Sequence, residues 1–170
     1  MTEAILAPPL TLRPLTEAHV LALQTMYGAG EDYFLHATGF PLSSQQAALD
    51  LAGAAQDDAR HLLGIYLQDS MIGVIDLRLA EPEPFDVRLG LILLDRAQRR
   101  QGLGSLALRI LEAWLSRDTP TEAVVIAAPA QNSIAQAFFL ANGYAFSGQS
   151  TRVLVGTSRV RLLEMRKSLT

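Results

Sequence analysis

The ten residues Asp95-Arg-Ala-Gln-Arg-Arg-Gln-Gly-Leu-Gly104 carry the most readable chemistry in the chain. Gly102 and Gly104 let backbone amides approach a ligand closely, and the apolar periodicity that starts at Leu103 predicts a helix directly behind them. The N-terminus of a helix presents unpaired N–H groups and the positive end of the helix dipole, which together favour an anion. Arg99 and Arg100 flank the turn and are suited to bidentate contact with phosphate oxygens. The pattern implies a phosphate-bearing ligand.

Two nucleotide motifs compete for this turn. Gly102-Leu-Gly104-Ser-Leu-Ala107 satisfies the dinucleotide fingerprint G-x-G-x-x-A, but that fingerprint should follow its strand almost at once, and a charged segment intervenes here. Glu122 precedes the next apolar strand, whereas a ribose-binding acid belongs at that strand's end. A nucleotide P-loop is excluded, since no Lys-Ser or Lys-Thr follows the glycines. A dinucleotide oxidoreductase and a turn that binds nothing stay open as alternatives.

The elements that must position the turn can be read from periodicity and breakers. Leu10 to Arg13 predicts a short strand, and Thr16 with Glu17 opens a helix to about Met26. Tyr27 to Pro41, with three glycines and the aromatics Tyr33, Phe34 and Phe40, predicts a loop. Ala47, Ala48, Leu51, Ala52 and Ala55 mark a second helix. His61 to Leu67 and Met71 to Leu79 predict a hairpin turning at Gln68, Asp69 and Ser70. Val87 to Leu94, apolar on nearly every residue toward its end, reads as a strand buried on both faces. Leu103, Leu106, Ala107, Ile110, Leu111, Trp114 and Leu115 form one helical stripe. Ala123 to Ala128 predicts a short central strand, Asn132 opens a further helix stopped by Gly143, and Tyr144 to Val155 with Arg159 to Met165 predicts a final hairpin. This order describes an α/β chain with about seven strands and about four helices, and 170 residues suit one domain over 1–170.

Composition narrows the function classes. With 49% hydrophobic and 18% charged residues the chain is too apolar and too weakly charged to be disordered. A net charge of −3 argues against a nucleic-acid partner. Thirteen of the fourteen cationic side chains are Arg, the exception being Lys167. The absence of cysteine removes disulfides, thiolate metal sites and cysteine nucleophiles. His19, His36 and His61 are too scattered for a metal motif, so no metal is expected. Met1 to Leu10 has no signal-like pattern, and no apolar stretch reaches the ~18 residues of a membrane span. A cytoplasmic protein with no membrane partner is the expectation.

Arg99-Arg100-Gln101-Gly102-Leu103-Gly104 resembles the Gln/Arg-x-x-Gly-x-Gly/Ala motif with which GNAT acetyltransferases bind acetyl-coenzyme A (acetyl-CoA). The motif strand, the amphipathic helix, the apolar strand at Val124 to Ala128 and the Asn132 helix stand in that family's order. Asn132, Ala135, Phe138, Gly143 and Tyr144 resemble its Asn-x-x-Ala … Gly-Phe ending, and Leu10 to Ala18 looks like the opening of the branch that contains ribosomal-protein N-terminal acetyltransferases.

The resemblance implies a mixed, mostly antiparallel sheet whose two central strands splay, with the pantetheine arm of CoA in the gap. Ile92, Leu93 and Leu94 would supply backbone contacts to that arm. Arg99, Arg100, Gln101, Gly102, Leu103, Gly104 and Ser105 would form the pyrophosphate turn. Asn132 would hydrogen-bond the pantetheine region, with Ala135 and Phe139 beside it, while Phe138 reads as core. The reaction implied is direct attack of an amine on the thioester, with a small-molecule amine or a protein N-terminus as acceptor. Homodimerisation through the apolar C-terminal hairpin is a further expectation.

The proton-transfer groups depart from the family pattern. Phe139 stands where many members have a Tyr acid, and Arg88 where many have a Glu. Replacement bases are Asp86 and Asp76 on the strands, and Glu31, Asp32 and His36 in the first long loop, where the family builds its acceptor site. Tyr144 reads as a packed ring. A CoA-binding module with little catalysis is the alternative to an active transferase.

Overall fold

The computed structural model describes residues 9–38 and 42–170. Seven strands make one sheet in the order β1-β2-β3-β4-β5-β7-β6. They are β1 (Leu10–Pro14), β2 (Arg60–Leu67), β3 (Ser70–Leu79), β4 (Asp86–Leu94), β5 (Ala123–Pro129), β6 (Ala145–Val155) and β7 (Ser158–Ser168). Every neighbouring pair is antiparallel except β4 and β5, which run parallel and so need a crossover helix between them. The two predicted hairpins form, with two-residue turns at Gln68–Asp69 and Gly156–Thr157.

Five helices pack on this sheet: α1 (Val20–Ala29), α2 (Glu31–Thr38), α3 (Gln46–Ala55), α4 (Leu103–Asp118) and α5 (Ser133–Ala141). The segment expected as a loop from Tyr27 to Pro41 is helical as far as Thr38, and residues 39–41 lie outside the described residues. Its glycines and aromatics suggested irregular chain, yet Gly30 marks only the break between α1 and α2. The aromatics are held by packing, Tyr27 and Phe34 meeting edge to face at 5.5 Å. Tertiary contact has overridden weak local propensity.

Two apolar clusters lie on opposite faces of the sheet. One joins Leu63, Ile75, Val87, Leu89, Val124, Ile126 and Met165 to α4 and α5, and the other joins Leu62, Val74 and Leu93 to α1 and α3. β4 contributes to both clusters, which explains its nearly continuous apolar run. The buried face of α4 is centred on Ala107, Leu108, Leu111 and Leu115, while Leu103, Leu106, Ile110 and Trp114 flank it half-buried. The helix is thus rotated slightly from the predicted stripe, and it buries Glu112. That carboxylate accepts from the Tyr144 hydroxyl at 2.9 Å and from Lys167 Nζ at 2.7 Å, so the single lysine of the chain compensates a buried charge.

Candidate functional site

The central strands separate. Asp86, Val87 and Arg88 pair with Ala123, Val124 and Val125, and no pairing between β4 and β5 extends beyond them, although β5 continues beside β7 to Pro129. A bulge supplies the physical cause. On β3, Asp76 lies opposite Leu91 and Leu77 opposite Leu89, which leaves Gly90 as an unpaired extra residue shortly after Arg88, where the β4–β5 pairing ends. A bulge bends its strand and increases the local twist, and here it carries Leu91 to Leu94 away from β5. An isolated glycine inside a strand pattern is the signal that could have located it.

β4 delivers the chain to the glycine turn at the mouth of this gap. Asp95 accepts from the Ala97 amide at 3.2 Å and starts a short 3-10 turn over Arg96–Gln98. Arg100 then turns left-handed at φ +62°, and Gly102 does so again at φ +76°, where it caps α4. A residue with a Cβ pays about 1 to 2 kcal/mol in that region. A glycine cap has no side chain to accept the first helical N–H groups, so the amides of Leu103, Gly104 and Ser105 point outward uncapped. A Cβ on Gly102 would meet nothing within 4 Å, whereas one on Gly104 would touch Leu94 and Phe138 at 3.4 Å. The two glycines therefore differ in setting: Gly102 faces open space, and a Cβ at Gly104 would make ordinary van der Waals contact with Leu94 and Phe138. Arg100, Gln101 and Gly102 are exposed, and Ser105 Oγ accepts from Asn142 Nδ2 at 3.1 Å, tying α4 to the end of α5.

Arg99 departs from its expected part in the turn. Its Nε donates to the Leu94 carbonyl at 3.1 Å, and Nη1 and Nη2 donate to the Asp32 carboxylate at 2.8 and 3.2 Å. Three of its N–H groups thus bind protein, whereas Arg100, within the turn itself, is exposed. The guanidinium hydrogen bond holds the Asp32 carboxyl below the ordinary range, which removes Asp32 from the candidate bases.

Ile92 and Leu94 are half-buried on the side of α4, and Leu93 is buried on the side of α1 and α3. Asn132 caps α5, its Oδ1 accepting from the Ala135 amide at 3.0 Å. Phe139 packs edge to face with Phe138 at 5.1 Å and with Tyr144 at 5.2 Å between ring centres. Tyr144 is no substitute acid: it is buried, its hydroxyl is committed to Glu112, and burial with the adjacent carboxylate raises its pKa.

The strand carboxylates are engaged elsewhere. Asp86 is buried at the far end of β4 and receives Arg166 in two hydrogen bonds, at 2.7 and 3.0 Å. This acid, pinned by a guanidinium at the opposite end of the strand from the turn, anchors β4 to β7. Asp76 is similarly held by Arg60, at 2.7 and 3.1 Å. Arg88 lies 3.7 Å from Glu81. Glu31 opens α2 and is exposed, while the His36 side chain lies outside the described part of the structure.

One carboxylate a strand away from the gap, on the far side of β5, escaped the sequence reading. Glu164 of β7 sits across from Ala127 of β5, just beyond Val125, the last β5 residue joined to β4. It shares the sheet face of Arg166, whose Nη1 is 3.9 Å away. Nothing in Leu163-Glu-Met165 distinguishes this residue; only the strand register reveals it. Among the described residues no cluster of three or more His, Asp or Glu could hold a metal ion, and no helix is long and apolar enough to cross a membrane.

Residues 9–145 match the family model described as Acetyltransferase (GNAT) domain. No curated protein sequence matches the chain. Among solved structures, an acetyltransferase from Thermus thermophilus is similar at 24% identity and TM-score 0.78, over 94% of this chain and 96% of that one. An acetyltransferase from Salmonella typhimurium that modifies the N-terminal serine of ribosomal protein L7/L12 superposes with TM-score 0.82 at 19% identity, over 95% and 96%. An N-acetyltransferase from Thermoplasma acidophilum in complex with coenzyme A gives TM-score 0.70 at 15% identity, over 94% and 99%.

Proposed function

The chain belongs to the GNAT acetyltransferase family, and from that premise we propose that it moves an acetyl group from acetyl-CoA to a primary amine by direct attack on the thioester. The observation that carries this reading is the β4–β5 gap opening beside the uncapped N-terminus of α4. Amides from Arg100 to Ser105 donate to the pyrophosphate oxygens, with Arg100 adding charge. The edge of β4 from Leu91 to Leu94 faces the gap and pairs with the pantetheine arm as a further strand would. Asn132 adds its amide N–H2 and Phe139 backs the site.

In the transfer step the amine nitrogen attacks the thioester carbonyl and the carbon–sulfur bond breaks. A backbone N–H of β4 donates to the oxyanion that develops. The thiolate leaves with the bonding electrons and takes a proton from solvent; an ordinary thiol has a pKa of about 8.5, so no dedicated acid is needed and Phe139 is tolerated. Glu164, directly or through water, takes the proton that the nitrogen releases. The acceptor is a protein N-terminus or a small-molecule amine. An α-amino group, with a pKa of roughly 7.7 to 8.0, is partly neutral near pH 7.5 and so makes a modest demand on a base. The Salmonella neighbour's action on an N-terminal serine supports that choice.

A CoA-binding module with little catalysis is the second reading, favoured by Phe139 and Arg88 at the two proton-transfer positions. Thiol release from acetyl-CoA over a panel of N-terminal dipeptides and small amines separates the two. Amine-dependent release supports the transferase; CoA binding without any release supports the module; no binding at millimolar CoA by folded protein refutes both.

A further inference from the structure

Arg99 joins three parts of the molecule through polar bonds. Its Nε holds the last carbonyl of β4 at Leu94, its backbone begins the exposed turn at Arg100, and its two terminal nitrogens grip Asp32 in the first turn of α2. A second contact runs parallel to this one. Gly30, at the junction of α1 and α2, lies so close to Leu93 that a Cβ there would fall 2.7 Å from a leucine methyl carbon. The start of α2 thus rests on Leu93 and is bonded to Arg99. Leu93 and Arg99 bracket the end of the strand whose edge lines the gap.

We propose that Arg99 is a positioning residue, a latch that registers α2 against the glycine turn, so that filling the turn also fixes the start of α2, the segment where the acyltransferase reading puts the acceptor. The inference rests on the acyltransferase reading and adds to it a residue that acts on the acceptor through α2. The alternative role, Arg99 as a direct phosphate ligand, demands the same guanidinium that Asp32 and Leu94 already occupy. Neutralising Asp32 separates the two roles. A latch is weakened by that change while the turn keeps its amides; a phosphate ligand is released by it and binds CoA more tightly.

The test measures amide hydrogen exchange over residues 31–38, with and without CoA, in the wild type, Asp32→Asn, Arg99→Gln and Arg99→Lys. CoA affinity is measured by calorimetry on the same samples. Asp32 is surface-exposed, so Asp32→Asn keeps the fold. CoA is expected to slow exchange over 31–38 in the wild type. In Asp32→Asn and Arg99→Gln that slowing is lost, the free-state exchange rises roughly fivefold, and in Asp32→Asn the CoA Kd stays within about threefold. Arg99→Lys restores part of the slowing through a single bond to Asp32. With an acceptor amine, KM rises in Asp32→Asn while kcat changes less. If Asp32→Asn keeps the full CoA-dependent slowing, or binds CoA tenfold more tightly, the latch is wrong and the transferase reading stands. If the wild type binds no CoA at all, the transferase reading falls and takes the latch with it.

Discussion

Gly102 is the residue at which the anion site can be tested by arithmetic. Its φ of +76° means that any substitution carries the left-handed cost of about 1 to 2 kcal/mol, and a Cβ there meets nothing within 4 Å. Gly102→Ala and Gly102→Glu therefore share the same backbone strain and the same absence of steric collision within the protein. Both should lower Tm by about 2 to 6 °C in a chain of this size. They differ in charge. A carboxylate about 6 Å from a doubly charged pyrophosphate, at an effective dielectric constant of about 40, is opposed by roughly 3 kcal/mol, or about a hundredfold in Kd. Alanine should weaken CoA binding by no more than about tenfold. The difference between the variants should shrink as salt rises from about 0.05 to 0.5 M, since the site is open to solvent. Calorimetry of CoA binding to the three proteins at two salt concentrations decides the matter. Equal losses in the two variants, or a difference indifferent to salt, would refute the reasoning that this turn holds phosphate.

Four further outcomes follow from the geometry. Tyr144→Phe removes one bond from the buried Glu112 and should cost about 1 to 2 kcal/mol of stability by denaturant titration, with CoA affinity and kcat unchanged; a large loss of kcat would make Tyr144 the acid after all. Glu164→Gln should lower kcat at least about tenfold with CoA Kd within twofold, and the loss should be smaller for acceptors of lower amine pKa. Asp86→Asn should destabilise the fold by roughly 1 to 3 kcal/mol, because Arg166 loses a charged partner, while kcat per folded molecule is retained; selective loss of kcat would restore Asp86 as a base. The Asp32 carboxyl has a lowered pKa in the fold, so its contribution is fully present above the ordinary value of about 3.9 and is lost as pH falls through the lower one. Exchange over 31–38 should accordingly be steady, after correction for intrinsic rates, between pH 7 and 5, and loosening in that window would contradict the ion pair.

The elements were legible where periodicity or turn chemistry dominates. The α4 stripe, the two hairpins and the Asn132 cap each follow from residues close in sequence. The glycine turn was legible in its conformation for the same reason, since the uncapped amides and the left-handed glycine belong to one short segment. Interactions between distant residues were not. Arg99 was expected on phosphate because nothing local shows that Asp32, 67 residues away, holds its guanidinium. Asp86 read as a free acid because its partner Arg166 is 80 residues distant. Glu164 became visible only through the register of β7 on β5. Helix α2 was missed because its stability comes from packing onto Leu93 and the neighbouring aromatics more than from intrinsic propensity.

The three residue pairs that join β4 to β5 also divide the molecule mechanically. Strands β1 to β4 form one panel and β5, β7 and β6 another, stitched along a short seam by Asp86 to Arg88, riveted at its base by Asp86 and Arg166, and spanned by α4. Any strand-like ligand that fills the rest of the seam completes the sheet and acts as a splint. At a hundred times its Kd such a ligand adds about 2.7 kcal/mol to the stability of the whole. Departure of such a ligand is then the moment at which the panels lose their splint, and the rivet at Asp86 keeps the seam from running to the base of the sheet.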